Sequence, residues 1–386
     1  MAEAHINHKM LNWAIQRASI DLEILSAQTK FKLDKLEQWE KGETKPTFNQ
    51  AQTLAQKLRI PFGYLFLTTP PEMDPAVPDL RTIGSHVTTK LSLNLRELLM
   101  SLLMKQDWYR DYVQEHTGEP IKYIGRFNSN TPASVIANDI TKTLELSIED
   151  RKIAKSWEAY FTLLIQKIES LGILVMRSGV VGSNNQKILD IDEFRGIALF
   201  DPYAPLIFIN GRDAKAAQTF TLIHELVHLW IGQSGISDPA IERPATSHSK
   251  KTEQLCNEVA AEVLVPRNYL IAKWSKHLTV SDNAENLAPF FRVSSVVIAR
   301  RAYSCQLIPW KAYSDYYAMQ SVKWNNKKNS SGGNYYNTLP AKNSKTFTSA
   351  VISSARANNI LLRDAGKLLN IKPAKIKKLA TEMGAR

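Results

Sequence analysis

The residues best placed to do chemistry are His224-Glu225-Leu226-Val227-His228. Two imidazoles four residues apart share one face of a helix, one turn from each other. At that spacing both reach a single zinc ion at about 2.0–2.1 Å. Glu225 stands about 100° round the same helix, near enough to polarise a water on the metal without ligating it. The surrounding pattern predicts that helix. Asp213 reads as its N-cap, and nothing breaks the chain from Ala214 to Gly232. Phe220, Leu222, Ile223, Leu226, Val227, Leu229 and Trp230 make it apolar nearly all round, so it belongs in the interior. Charge-capable groups there are costly unless they are paired or bind a metal.

A third ligand is required, and the next helical stretch supplies candidates. Thr252 reads as the cap of a segment running to Val265 and halted by Pro266. Glu253, Cys256, Asn257, Ala260 and Leu264 share one face of it, and their small neighbours let it pack closely. Glu253 leads as the third ligand, with Glu258, Glu262, Asp238 and Glu242 as alternatives. Cys256 reads as a small packing residue. Three protein groups on zinc leave a fourth position for water and lower its pKa towards neutrality, with Glu225 as the base that takes the proton. Tyr203, Arg212 and His248 are oxyanion candidates by proximity in sequence alone.

Before the histidine helix the apolar period shortens to that of strands. Ile173-Leu174-Val175-Met176, Gly196-Ile197-Ala198-Leu199-Phe200 and Leu206-Ile207-Phe208-Ile209 are expected to form a small sheet. The last of these is read either as an edge strand that pairs with an extended substrate or as a buried structural strand.

The order Asn210-Gly211-x-Asp213, Phe220-Thr221-Leu222-Ile223-His224-Glu225, Glu253-x-x-Cys256-Asn257-x-Val259-Ala260-Ala261 and Val265-Pro266 resembles the ImmA/IrrE-type metallopeptidases. The likeness spans roughly Gly172 to Pro266 and extends through Val293-Ser294-Ser295 and Arg300-Arg301-Ala302. It implies zinc held by His224, His228 and Glu253, with Glu225 as catalytic base. It also implies an endopeptidase whose substrate is a regulatory protein, a helix-turn-helix repressor or similar. Two positions depart from the family pattern, Cys256 for alanine and Val259 for phenylalanine, and both are changes of packing scale.

Leu11 to Phe66 reads as short helices joined by short turns. Gly42 closes the third, and Thr47 after Pro46 caps the next. Leu36-Glu37-Gln38-Trp39-Glu40-Lys41-Gly42 followed by Lys45-Pro46-Thr47 resembles the XRE (Cro/CI-type) helix-turn-helix family. The positions matching that family's base-reading side chains are Leu22, Lys32, Leu33, Asp34 and Glu37, a set that suits a phosphate-lined groove poorly. Protein–protein contact is the competing use.

Pro70, Pro71, Pro75 and Pro78 break the chain after this module. Leu91 to His116 and Trp157 to Leu171 are expected to be helical, the second closed by Gly172. Helical periodicity returns at Val293–Ala302 and over Phe347–Met383, on either side of an Asn-, Lys- and Gly-rich loop at Asn325–Asn337. The expected architecture is α+β: an all-helical helix-turn-helix domain at 1–67, a Pro-rich linker and helical segment at 68–150, a zincin-like peptidase core with a small sheet at 151–270, and a helical basic region at 271–386.

Composition limits the function classes. With 44% hydrophobic and 22% charged residues the chain is of ordinary globular type. No run of about 18 apolar residues spans a membrane. Polar residues from Met1 to Asn12 predict no secretory leader, and two cysteines, Cys256 and Cys305, predict no disulfide framework, so a cytoplasmic setting is expected. Residues 1–300 hold 34 basic and 34 acidic side chains, whereas 301–386 hold 15 and 3, which supplies the whole net charge of +12. Possible DNA contact is therefore assigned to 301–386, or to the amino-terminal helix-turn-helix. Ile371-Lys372-Pro373 before Lys375, Lys377 and Lys378 gives that region a second helix-turn-helix order. The alternative to a peptidase is a DNA-binding transcriptional regulator or antitoxin-like protein that uses the peptidase domain as sensor or scaffold.

Overall fold

The computed structural model describes residues 2–18, 20–71, 91–116, 118–237, 248–325 and 342–382. Pro75, Pro78, Asp238, Glu242 and most of the Asn/Lys/Gly-rich stretch lie outside the described residues. The chain forms two compact units, one of residues 1–79 and 86–100, the other of residues 80–85 and 101–386.

In the first unit the helices are α1 (His8–Ala18), α2 (Leu22–Thr29), α3 (Leu33–Lys41) and α4 (Phe48–Lys57), followed by a 3-10 turn at Phe62–Phe66. Local chemistry sets their ends. Lys30 and Gly42 take left-handed conformations after α2 and α3. Thr47 and Gln50 form a reciprocal capping box at the start of α4. Leu11, Leu25, Leu36, Trp39 and Leu54 meet in the core, and Phe31 packs edge-on against Trp39. Among the positions matching base-reading side chains, Lys32 and Asp34 are exposed, while Leu22, Leu33 and Glu37 are half-buried. The first turns of α5 (Leu93–His116) belong to this unit, where Arg59 pairs with Glu97 at 3.1 Å.

The second unit is mixed α+β. After the rest of α5 come α6 (Ala133–Thr143), α7 (Ile148–Ile153), α8 (Trp157–Ser170), β1 (Leu174–Ser178), β2 (Gly196–Leu199), β3 (Leu206–Asn210), α9 (Lys215–Trp230) and β4 (Gly235–Ser237). Then follow α10 (His248–Leu264), α11 (Arg267–Lys273), α12 (Val280–Phe291), α13 (Ser295–Ser304) and α14 (Trp310–Asn325). The last described helices are α15 (Lys345–Arg356), α16 (Leu362–Leu369) and α17 (Ile376–Glu382), with a 3-10 turn at Pro373–Lys375 leading into α17.

All three expected strands are present, and β4 joins them in the order β1-β3-β2-β4. β1 and β3 run parallel; the other pairs are antiparallel. This corrects the edge reading of Leu206–Ile209, because β3 is paired on both sides and every residue of it is buried. α9 packs against this sheet and against α8 and α10. Two expected helix starts also move. Ala214, not Asp213, is the N-cap of α9, because the Asp213 carboxylate already accepts the Ala214 N–H at 2.8 Å. α10 begins at His248, so Thr252 lies buried within the helix and does not cap it. Among the described residues no helix is long and apolar enough to cross a membrane.

On α5, Lys105 sits in the buried stripe with Leu102 and Tyr109. Its Nζ donates to Asn343 Oδ1 at 2.8 Å, and Asn343 Nδ2 donates to the Leu369 carbonyl at 3.0 Å. Burial lowers the Lys105 pKa from 10.5 to about 8. The folded state is therefore penalised while Lys105 is charged, and stability should rise as pH climbs from about 8 towards 10.5. Urea titrations at pH 7.5 and 10 should give a gain on the order of 1–3 kcal/mol for the wild type that Lys105→Met lacks. An equal pH response in both proteins would show that Lys105 is not the titrating group.

Candidate metal centre

α9 is fixed at both ends. Near its start Gln218 Nε2 donates to the Asp213 carbonyl at 2.7 Å. At its end the amides of Gly125 and Phe127 donate to the carbonyls of Leu229 and Trp230, at 2.9 and 3.1 Å. Gly232 turns the chain there at φ +69, and its missing side chain would meet Gly125 Cα at 3.2 Å. Trp230 Nε1 donates to Asp139 Oδ1 at 2.9 Å. Between these anchors every residue from Thr221 to Trp230 is buried. The expectation of an interior helix is met.

α10 lies against α9 and α6 and brings Glu253 to the two histidines. His224 Nε2 lies 3.1 Å from Glu253 Oε2 and 3.2 Å from His228 Nε2. His228 Nε2 lies 3.3 Å from Glu253 Oε1. His224 Nδ1 meets Asn257 Oδ1 at 3.0 Å, and an amide oxygen only accepts, so the proton of neutral His224 belongs on Nδ1. Nε2 is then an acceptor facing a carboxylate oxygen and a second imidazole nitrogen. The Glu253 oxygens only accept, so these contacts are favourable when a proton or a cation lies between the carboxylate and the imidazole nitrogens. Donor atoms tetrahedral about zinc at about 2.05 Å stand about 3.3 Å apart, which these separations match. The donor set therefore fits a zinc ion.

Burial by itself would lower the pKa of His224, but the Glu253 carboxylate more than offsets this and raises it. Burial by itself would raise that of Glu253, yet hydrogen bonds and charge from His224 and His228 hold it well below the usual range. Cys256 also comes close: its Sγ and one nitrogen of each histidine lie within 4.8 Å of one another. Burial, then the carboxylates of Glu253 and Glu225, push its thiol pKa well up.

Glu225 is fully buried, and Ser237 on β4 donates a short hydrogen bond to its Oε1. Its Oε2 has no hydrogen-bond partner among the described residues. Burial raises its pKa, and the nearby histidines oppose the rise. β2 crosses this carboxylate at Gly196, where a Cβ would lie 2.6 Å from Thr221 Cγ2 and 2.8 Å from Glu225 Cδ.

Other expected candidates fall elsewhere. Glu258 is exposed and accepts from Gln254 at 3.0 Å. Glu262 accepts the Arg267 N–H at 3.1 Å and pairs closely with Arg301. Tyr203 lies in the β2–β3 turn, at the far end of the hairpin from Gly196. Arg212 packs over Gly179. Asp238, Glu242 and the side chain of His248 are outside the described residues. Ser237 and Gly196 were not visible as site residues in the sequence, and no spacing ties either to α9.

Residues 168–303 match the family model of the IrrE N-terminal-like domain, Peptidase_M78, a family that is typically metal-dependent. Residues 343–382 match a second model, described as a domain of unknown function (DUF8813). No curated protein and no solved structure matches the chain.

A side chain at position 196 has no room beside Glu225. Gly196→Ala should lower the thermal midpoint by an amount equivalent to about 1–3 kcal/mol. Unchanged melting of that variant would show that the close approach of β2 to α9 is not a constraint.

Proposed function

We propose that the second unit is a zinc-dependent endopeptidase in which His224, His228 and Glu253 hold the metal and Glu225 is the catalytic base. The observation that supports this most is the convergence of His224 Nε2, His228 Nε2 and the two Glu253 oxygens at 3.1–3.3 Å. Glu253 is preferred to Cys256 because its two oxygens reach the two histidines at 3.1 and 3.3 Å, whereas the Cys256 sulfur is placed only within 4.8 Å of their nitrogens.

Bound zinc would supply Lewis acidity to a peptide carbonyl and make nearby water more acidic. The chain itself manages the proton. Ser237 fixes Oε1 of Glu225, which leaves Oε2 to take a proton from water and pass it to the departing amine nitrogen. A pKa raised by burial makes Glu225 a stronger base than an ordinary carboxylate. β4 ends the sheet, and its outer edge is suited to pair with an extended peptide beside Glu225. The substrate class proposed is a regulatory protein, with the XRE-like first unit as a docking module. A regulator that uses this centre only as a scaffold predicts no hydrolysis by the wild type, whatever its zinc content.

Purified wild type should carry about one zinc per chain. His224→Ala and Glu253→Gln should lose it, and Cys256→Ser should keep it. Glu225→Gln should keep zinc while hydrolysis falls by about 10²–10⁴-fold. Wild-type protein prepared without chelators and found free of metal would overturn the peptidase reading. Zinc lost from Cys256→Ser but kept by Glu253→Gln would exchange the third ligand. Expressed in the host, Glu225→Gln should retain a helix-turn-helix repressor as a co-purifying protein.

A further inference from the structure

We propose that residues 342–382 form a duplex-DNA-binding surface, carried by α16 and α17 and separate from the metal centre. Within this stretch nine side chains are basic and two, Asp364 and Glu382, are acidic. The rest of the chain up to residue 300 is balanced, so the excess charge is concentrated rather than spread as a general solubilising coat.

The local fold turns that charge into a surface. α16 is eight residues long and is followed by three residues, Asn370 to Lys372, before the 3-10 turn that leads into α17. Asn370 adopts φ +55, and the Ile371 N–H donates to the Gly366 carbonyl at 2.9 Å. A Cβ on Gly366 would lie 2.8 Å from the Ile371 carbonyl oxygen and 3.3 Å from Pro373 Cγ, so the turn lies flat against α16. A short helix, a tight turn and a second short helix are the units of a helix-turn-helix. Ala365, Leu368 and Leu369 of α16 and Ile376, Leu379 and Ala380 of α17 are buried. The opposite faces carry exposed Arg363 and Lys367, one turn apart on α16, and exposed Lys377 and Lys378 on α17. Lys372 and Lys375, both exposed, stand where the chain enters α17.

Six exposed cations lie within the sixteen residues from Arg363 to Lys378, a span whose one acidic residue is Asp364, and such a density of charge matches a row of phosphates. The second helix of such a pair fits the major groove of B-form DNA, whereas the deep, narrow major groove of A-form RNA admits no helix. The first unit lacks this footprint, with nine basic and eight acidic residues over 1–72 and Lys32 exposed beside Asp34.

The test is fluorescence anisotropy of the full-length protein with a labelled duplex of mixed sequence, repeated across salt concentrations. Binding should weaken with salt at a log–log slope of about −3 to −5. Replacing Lys372, Lys375, Lys377 and Lys378 with Gln should cost about 10-fold or more at about 0.1 M salt and flatten the slope by about 3. Lys377→Gln with Lys378→Gln should give a smaller loss in the same direction. All four side chains are exposed, so circular dichroism and zinc content should stay at wild-type values. Lys32→Gln with Lys35→Gln in the first unit should leave binding unchanged. No binding by the wild type at about 50 mM salt would overturn the proposal. So would binding that survives the fourfold substitution, or an RNA hairpin bound as tightly as the duplex.

Discussion

The second unit is organised around a buried polar cluster. His224, His228 and Glu253 bring two imidazole nitrogens and the two carboxylate oxygens to 3.1–3.3 Å, an arrangement favoured when a proton or a cation lies among them. The packing holds them there. Cys256 and Ala260 are fully buried on α10, and their small side chains allow close approach to α9. Asn257, one turn from Glu253, fixes the tautomer of His224, so the nitrogen aimed at the centre is the one able to bind a cation.

Glu225 shows the same logic from the other side of α9. A fully buried carboxylate is expensive, and this one is stabilised on one oxygen only, by Ser237. Its neighbour β2 must carry glycine at position 196, because any Cβ would occupy the space of the carboxylate. Sheet and helix are thus matched at a single residue. Among the described residues the second oxygen has no hydrogen-bond partner, which suits the proposed role of proton acceptor.

The parts of this site that were legible in the sequence are those set by spacing within one helix. His224 and His228 at i and i+4, and Glu253 with Asn257 on one face of the next helix, needed no tertiary knowledge. Gly42 and Thr47 were legible for a similar reason, since a left-handed helix end and a capping box are local. What depends on the partners of a segment was not legible. β4 has three residues, too few for an apolar period, so Ser237 could not be placed against Glu225. β3 was equally apolar as an edge or an inner strand, and only its pairing with β1 and β2 decides between them. Asp213 and Thr252 are good capping residues, but the helices begin one residue later and five residues earlier than those caps would set.

The carboxy-terminal helices are not a tethered appendage, and this bears on how charge and chemistry are related. Lys105 of α5 is buried against Asn343, and the Lys345 N–H donates to Glu169 of α8 at 3.1 Å. Ser183, in the segment between β1 and β2, donates to the Asn370 carbonyl at 2.7 Å, on the turn between α16 and α17. α8 continues directly into β1, and β1 pairs with β3 beside the strand that backs Glu225. A buried lysine whose partner is an amide oxygen is a costly device for holding two segments together. It is understandable where a fixed orientation matters more than the strength of attachment. The basic helices are thereby held against the sheet that frames the candidate metal centre, through hydrogen bonds that a flexible linker would not make.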